Sequence, residues 1–213
     1  MLKMHRFVFN AFAENTYIIS DEESGEAIVV DPGCSNTKEK EQLDIFIRSG
    51  KLTLKALVNT HCHIDHILGN AYIKGKYNTQ FMAPEEDLFM LDLMLKEAGN
   101  MGFRMEKSPR PDVFITEDLD FKLGNYDVKF LFTPGHSPGG YCIYFPSARF
   151  CITGDVLFRQ GIGRTDLWGG SYDDLISSIE TKLFTLPDDT LIFPGHGEES
   201  TIGFEKTSNP FLS

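Results

Sequence analysis

The chain has 213 residues, 41% of them apolar, and carries 31 acidic against 20 basic residues for a net charge of −11 at pH 7. That is enough apolar sequence for one large domain with a real core, and it argues against disorder. The acidic balance reads as solvated surface; without a basic run to meet phosphates it argues against nucleic acid, and without a long apolar run against a membrane span.

Residues 4–9, 15–20 and 27–30 are predicted strands, with a turn at Asp21–Gly25 and a stop at Asp31-Pro32-Gly33. Residues 36–48 are a predicted helix with Leu43, Phe46 and Ile47 on one face and Gly50 past its end. Residues 52–58 form a buried strand, 67–76 a helix and 80–83 a short strand. Pro84, followed by Glu85, Glu86 and Asp87, marks the start of a helix running to about Ala98. The stretch 99–111, with Gly99, Gly102, Pro109 and Pro111, is irregular. The Met and Phe residues over 84–111 read either as core packing or as a flexible apolar cover. Further strands are expected at 112–117, 119–132 (turning at Gly124-Asn125), 141–145, 149–153 and 191–193, and helices at 171–183 and 200–207. A Gly-rich loop covers 161–170. With no linker or low-complexity segment, residues 1–213 read as a single domain.

The chemistry concentrates in Asn59-Thr60-His61-Cys62-His63-Ile64-Asp65-His66, where three histidines and an aspartate fall within six residues directly after a strand. Imidazole nitrogen with carboxylate oxygen suits zinc, iron or manganese. Of the six histidines, five lie in short motifs ending apolar runs (His61, His63 and His66, then His136, then His196), and only His5 is left as structural. The same grammar recurs four times, a strand and then a tight turn bearing a ligand type: Thr60-His61, Pro134-Gly135-His136, Thr153-Gly154-Asp155 and Pro194-Gly195-His196. Cys34, Cys62, Cys142 and Cys151 form no Cys-x-x-Cys pair and read as free thiols. Cys62 points opposite to its histidine neighbours in extended backbone, so it reads as filler. The first residues lack a secretory-leader pattern, and a cytoplasmic location is expected.

With its ordered partners, this His-x-His-x-Asp-His pattern resembles the metallo-β-lactamase superfamily over essentially the whole chain. The resemblance implies an α/β fold of four layers, an αβ/βα sandwich of two mixed sheets with helices outside. It implies two divalent metal ions, zinc first and iron or manganese as alternatives, with His61, His63 and His136 on one and Asp65, His66 and His196 on the other. Asp155 matches the bridging carboxylate, and Asp65 also orients the attacking hydroxide. Asp31 is a candidate to fix an imidazole from behind.

Within the superfamily, a glutamate at position 63 would resemble the flavodiiron branch, and a cysteine at 155 the commonest zinc β-lactamases; neither is present. Gly161-Ile162-Gly163-Arg164-Thr165-Asp166 and the tail Thr201–Phe211 are similar to the short, single-domain glyoxalase II-like hydrolases. That resemblance implies hydrolysis of a small-molecule thioester such as an S-acylglutathione. The Gly-Arg-Thr-Asp loop also resembles that of the persulfide dioxygenases, which would use one iron on His61, His136 and Asp155. A lactonase is the third reading. Arg164 is the candidate for binding a substrate carboxylate, or else a brace to Asp155 or Asp166.

Overall fold

The computed structural model describes residues 1–212, and its backbone divides into two compact units, residues 1–114 with 123–125, and residues 115–122 with 126 onward.

The first unit is a six-stranded mixed sheet with helical crossovers. Strands β1 (Leu2–Phe9), β2 (Glu14–Asp21) and β3 (Glu26–Val30) run antiparallel; β4 (Thr53–Val58), β5 (Gln80–Ala83) and β6 (Val113–Phe114) follow β3 in parallel, in the order β1-β2-β3-β4-β5-β6. Each parallel step needs a crossover, and helices supply it: α1 (Thr37–Ser49), the short α2 (Ile64–Ile67) and α3 (Asn70–Tyr77), then α4 (Leu88–Glu97). Every residue of β2 is buried, as a central strand covered on both faces requires, whereas edge strand β1 buries Phe7 and Phe9 but leaves Val8 exposed. Helix α1 starts where Asn36 accepts a hydrogen bond from the Glu39 N–H at 3.1 Å, a cap worth roughly 1 kcal/mol, and it buries Leu43 and Ile47.

Two local expectations change here. The single helix over 67–76 is two short ones, because the Gly69 N–H donates to the Pro32 carbonyl at 2.6 Å instead of continuing a helical ladder. As a result Asp65 and His66 sit inside a helical turn. The helix expected from Pro84 begins only at Leu88, since the Asp87 carboxylate turns back to accept the Cys62 N–H at 3.0 Å. Met90, Leu91 and Met94 of α4 are buried, the core-packing reading for those residues, while Phe89 and Met101 are exposed and Phe103 stacks on Phe12 at 5.5 Å.

The second unit contains most of β7 (Phe121–Leu123), then β8 (Tyr126–Phe132), β9 (Tyr141–Phe145), β10 (Phe150–Gly154), the hairpin β11 (Leu157–Phe158) and β12 (Gly161–Ile162), helix α5 (Tyr172–Ser178), β13 (Leu191–Pro194), β14 (Ser200–Thr201) and α6 (Ile202–Ser208). Its sheet order is β14-β13-β10-β9-β8-β7, with β10 and β13 the parallel pair. Cys142, Cys151, Leu175, Ile179, Leu183, Ile192 and Ile202 form its apolar core, where α5 and α6 meet the sheet. The helix expected over 171–183 is α-helical only to Ser178 and closes as a π-helical turn over Ile179–Leu183. The strand expected over 112–117 reduces to Val113–Phe114. Hairpin β11–β12 was not expected, because its strands are two residues each and carry no readable period.

Candidate metal centre

In the first unit, β4 delivers Asn59 and Thr60 into the ligand loop, and α2 follows at once. His61, His63 and His66 are buried, and Asp65 sits at the rim of burial. The rings lie close: His61 and His63 have centroids 4.8 Å apart, His61 and His66 4.1 Å. The organising group behind them is Asp31, at the end of β3 with φ 48°. Its carboxylate accepts the Thr60 N–H at 2.7 Å and the Thr60 hydroxyl at 2.6 Å, and faces His66 Nδ1 at 3.1 Å. The same Thr60 Oγ1 lies 3.0 Å from His61 Nδ1.

These contacts assign the tautomers. A hydroxyl that donates to Asp31 must accept from His61, so His61 carries its proton on Nδ1; His66 donates from Nδ1 to the same carboxylate. Both rings therefore present a bare Nε2 lone pair, the form a metal takes. Asp31, His61 and His66 offer donor atoms within 4.8 Å of one another, and His66 Nε2 lies 3.6 Å from Asp65 Oδ2. Asn59 supports the loop from beneath, donating to the His66 carbonyl at 3.1 Å. Cys62 is buried among these groups, and its thiol is pushed well above the ordinary range by burial and then by Asp87 and Asp31, in keeping with filler.

The second unit carries the other three ligand types. Gly135, at φ 131°, lets its turn press against α5: a Cβ there would lie 2.2 Å from the Leu175 nitrogen. That turn presents His136, whose Nδ1 donates to the Arg164 carbonyl at 2.8 Å and whose Nε2 lies 3.5 Å from Asp155 Oδ2. The ladder between β10 and β13 slips after Ile152, an irregularity of the kind that re-aims a side chain, and the Gly195 N–H donates to the Gly154 carbonyl at 2.8 Å. Asp155 and His196 are thereby tied together, with His196 Nε2 also 3.5 Å from Asp155 Oδ2. One carboxylate oxygen thus stands between two imidazole nitrogens.

All seven ligand types expected from the sequence fall into two clusters, four in the first unit and three in the second. Their chemistry fits divalent cations: buried imidazoles oriented from behind, with carboxylates beside them, are costly to desolvate without a compensating cation. Arg164 is different. Its guanidinium is exposed and forks onto Asp166 at 2.7 and 2.8 Å, holding that carboxyl down to about 2, and it is the Arg164 carbonyl that reaches a ligand-type residue. Thr60, Asn59 and Asp87 were missed in the sequence. The signal available for Thr60 was its place between a strand end and a histidine, which a hydroxyl by itself does not single out.

The chain is similar to known proteins. The family model described as metallo-beta-lactamase superfamily matches residues 10–196. Hydroxyacylglutathione hydrolase GloC of Haemophilus influenzae is 38% identical over 205 residues, which are 95% of this chain and 94% of that one. The crystal structure of the B3 metallo-beta-lactamase BLEG-1 is 30% identical with a TM-score of 0.89, covering 99% of this chain and 100% of its own. TTHA1623 in a di-iron-bound form is 30% identical with a TM-score of 0.87, covering 98% and 100%.

Proposed function

The chain belongs to the metallo-β-lactamase superfamily and has its α/β fold of two mixed sheets with helices, and we propose that this metallo-hydrolase cleaves thioesters, acyl conjugates of a small thiol of the S-acylglutathione kind. In this reading His61, His63 and His136 would hold one cation, Asp65, His66 and His196 the other, and Asp155 would serve both. The observation that carries the two-metal form is the Asp155 oxygen standing 3.5 Å from the Nε2 atoms of both His136 and His196. The activity named for the Haemophilus relative supports the thioester. Zinc is the first metal in this reading, and the di-iron form of TTHA1623 makes iron the alternative, with manganese third. The two units are taken as one catalytic domain acting on a small molecule in the cytoplasm, with neither nucleic acid nor membrane as partner. Among the described residues no helix is long and apolar enough to cross a membrane.

Two divalent cations held by these residues would supply Lewis acidity, acidifying a water and polarising an acyl carbonyl. Asp65 would accept a hydrogen bond from the attacking water and so aim its lone pair. Asp31 and Thr60 hold His66 and His61 in the tautomer that leaves Nε2 bare. A thiolate, whose thiol titrates at about 8.5, leaves without a proton from the enzyme. A centre whose Nδ1 protons are committed to Asp31, Thr60 and Arg164 therefore suits a thioester better than an amide.

The test is metal analysis of the purified protein with assays on S-lactoylglutathione, glutathione persulfide, a lactone and a β-lactam. The expected result is up to two metals per chain and a kcat/KM for the thioester in the enzymatic range of about 10⁴–10⁸ M⁻¹s⁻¹, well above the others. One iron per chain with oxygen-dependent turnover of the persulfide would instead establish the dioxygenase on His61, His136 and Asp155.

Arg164 is proposed to meet a substrate carboxylate, in competition with Asp166. Arg164→Ala should then raise KM for anionic thioesters about tenfold to a hundredfold, the scale of one charge-assisted hydrogen bond, and leave neutral ones unchanged. Asp166→Ala, which releases the guanidinium, should lower KM for the same anions. Equal effects of Arg164→Ala on both substrate classes, with a reduced melting temperature, would leave Arg164 as a brace.

A further inference from the structure

We infer that Asn10, in the turn between β1 and β2, is a positioning residue for Asp65: its side-chain amide holds the Asp65 backbone and so sets where that carboxylate points. The inference rests on the reading of Asp65 as a metal ligand.

The Asp65 carbonyl lacks its helical donor. Asp65 lies in the one-turn helix α2, and a continuing helix would aim the Gly69 N–H at its carbonyl. The Gly69 N–H instead donates to the Pro32 carbonyl at 2.6 Å. Asn10 supplies the replacement: its Nδ2 donates to the Asp65 carbonyl at 3.0 Å. The other Nδ2 proton goes to the Gly33 carbonyl, also at 3.0 Å, and Oδ1 accepts the Phe12 N–H at 2.9 Å. The amide thus joins three segments distant in sequence: the β1–β2 turn, the loop after β3 that begins with Asp31, and the ligand helix.

Asn10 is itself held from two sides. Its φ is 51°, a left-handed conformation that asparagine adopts more readily than other side chains with a Cβ. Its N–H donates to Glu39 Oε1 at 3.0 Å, while Glu39 Oε2 accepts the Ser35 N–H and hydroxyl at 2.7 and 2.9 Å. The approach of the three segments depends on Gly33, where a Cβ would lie 2.0 Å from Glu14 Oε2, 2.6 Å from the Asp65 carbonyl oxygen and 2.7 Å from Asn10 Nδ2. A fixed amide on a fixed turn, reaching the main chain of a ligand residue, controls the direction of that residue's side chain through two bonds of backbone.

The test separates the amide from the backbone. Asn10→Gly keeps the left-handed turn at no steric cost and removes the amide; Asn10→Asp keeps the size and the Oδ1 acceptor but removes both donors. The metal-free wild type, both variants and Asp65→Ala are titrated with Co(II), following the visible spectrum and the melting temperature. In Asn10→Gly one equivalent of Co(II) should bind as in the wild type, and the other should weaken by about 10–100-fold with an altered spectrum. The metal-free melting temperature should stay within about 2–4 °C of the wild type. Asn10→Asp should weaken the same equivalent at least as much, and Asp65→Ala more. Wild-type binding by either Asn10 variant, while Asp65→Ala still loses one equivalent, would overturn the role of Asn10 and leave the site reading standing. Equal weakening of both equivalents with a large fall in melting temperature would make Asn10 general scaffold, against the inference. Unchanged binding in Asp65→Ala would remove the ligand reading and the inference with it.

Discussion

Asp155→Ala is expected to lower kcat/KM for the proposed thioester hydrolysis by on the order of 10³-fold, the scale lost when a preorganised charge at a reacting centre is removed. The carboxylate is one oxygen held 3.5 Å from two imidazole nitrogens, and alanine leaves those nitrogens without the anion between them. The fold should survive, because Asp155 lies past the end of β10 and the second unit's core of Leu175, Ile179, Ile192 and Ile202 does not include it. The Gly195 to Gly154 hydrogen bond is made by main chain and persists in the variant. The measurement is steady-state kinetics alongside metal content. Substantial activity in Asp155→Ala, with two metals still bound, would show that Asp155 does not bridge.

Asp31→Asn is expected to weaken metal binding by about 10–100-fold and to destabilise the protein by about 1–3 kcal/mol. Asparagine tolerates the left-handed backbone at this position, so the effect isolates the carboxylate. Asp31 receives three donors, the Thr60 N–H, the Thr60 hydroxyl and His66 Nδ1. An amide accepts through one oxygen only. With its NH₂ in the place of Oδ2, the Thr60 hydroxyl turns to accept, and both His61 and His66 gain by moving their protons to Nε2. That is the nitrogen a metal needs bare. Chelator competition reads the affinity and thermal unfolding of the metal-free protein reads the stability. A variant that loses stability but binds metal as tightly as the wild type would show that Asp31 braces the loop without setting the tautomers.

The sequence by itself determined the parts that depend on neighbours along the chain. Apolar runs marked β2, β3, β4 and β9 to within a residue or two, and Gly50 marked the end of α1, because side-chain period and helix-ending chemistry are local. It also put forward the candidate ligands, histidines and aspartates at strand ends in four similar turns. What only the tertiary structure decided is how those candidate residues are held. Asp31 serves Thr60 and His66 across 29 and 35 positions, and Asn10 reaches Asp65 across 55. The split between α2 and α3 follows from a Pro32 carbonyl that captures the Gly69 N–H, which no periodicity records. Arg164 marks the boundary most sharply. Its guanidinium, the group a sequence displays, pairs with Asp166 at the surface, while its carbonyl, which every residue possesses, orients His136. A main-chain acceptor is anonymous in the sequence, and it gains an identity only when packing brings a particular donor to it.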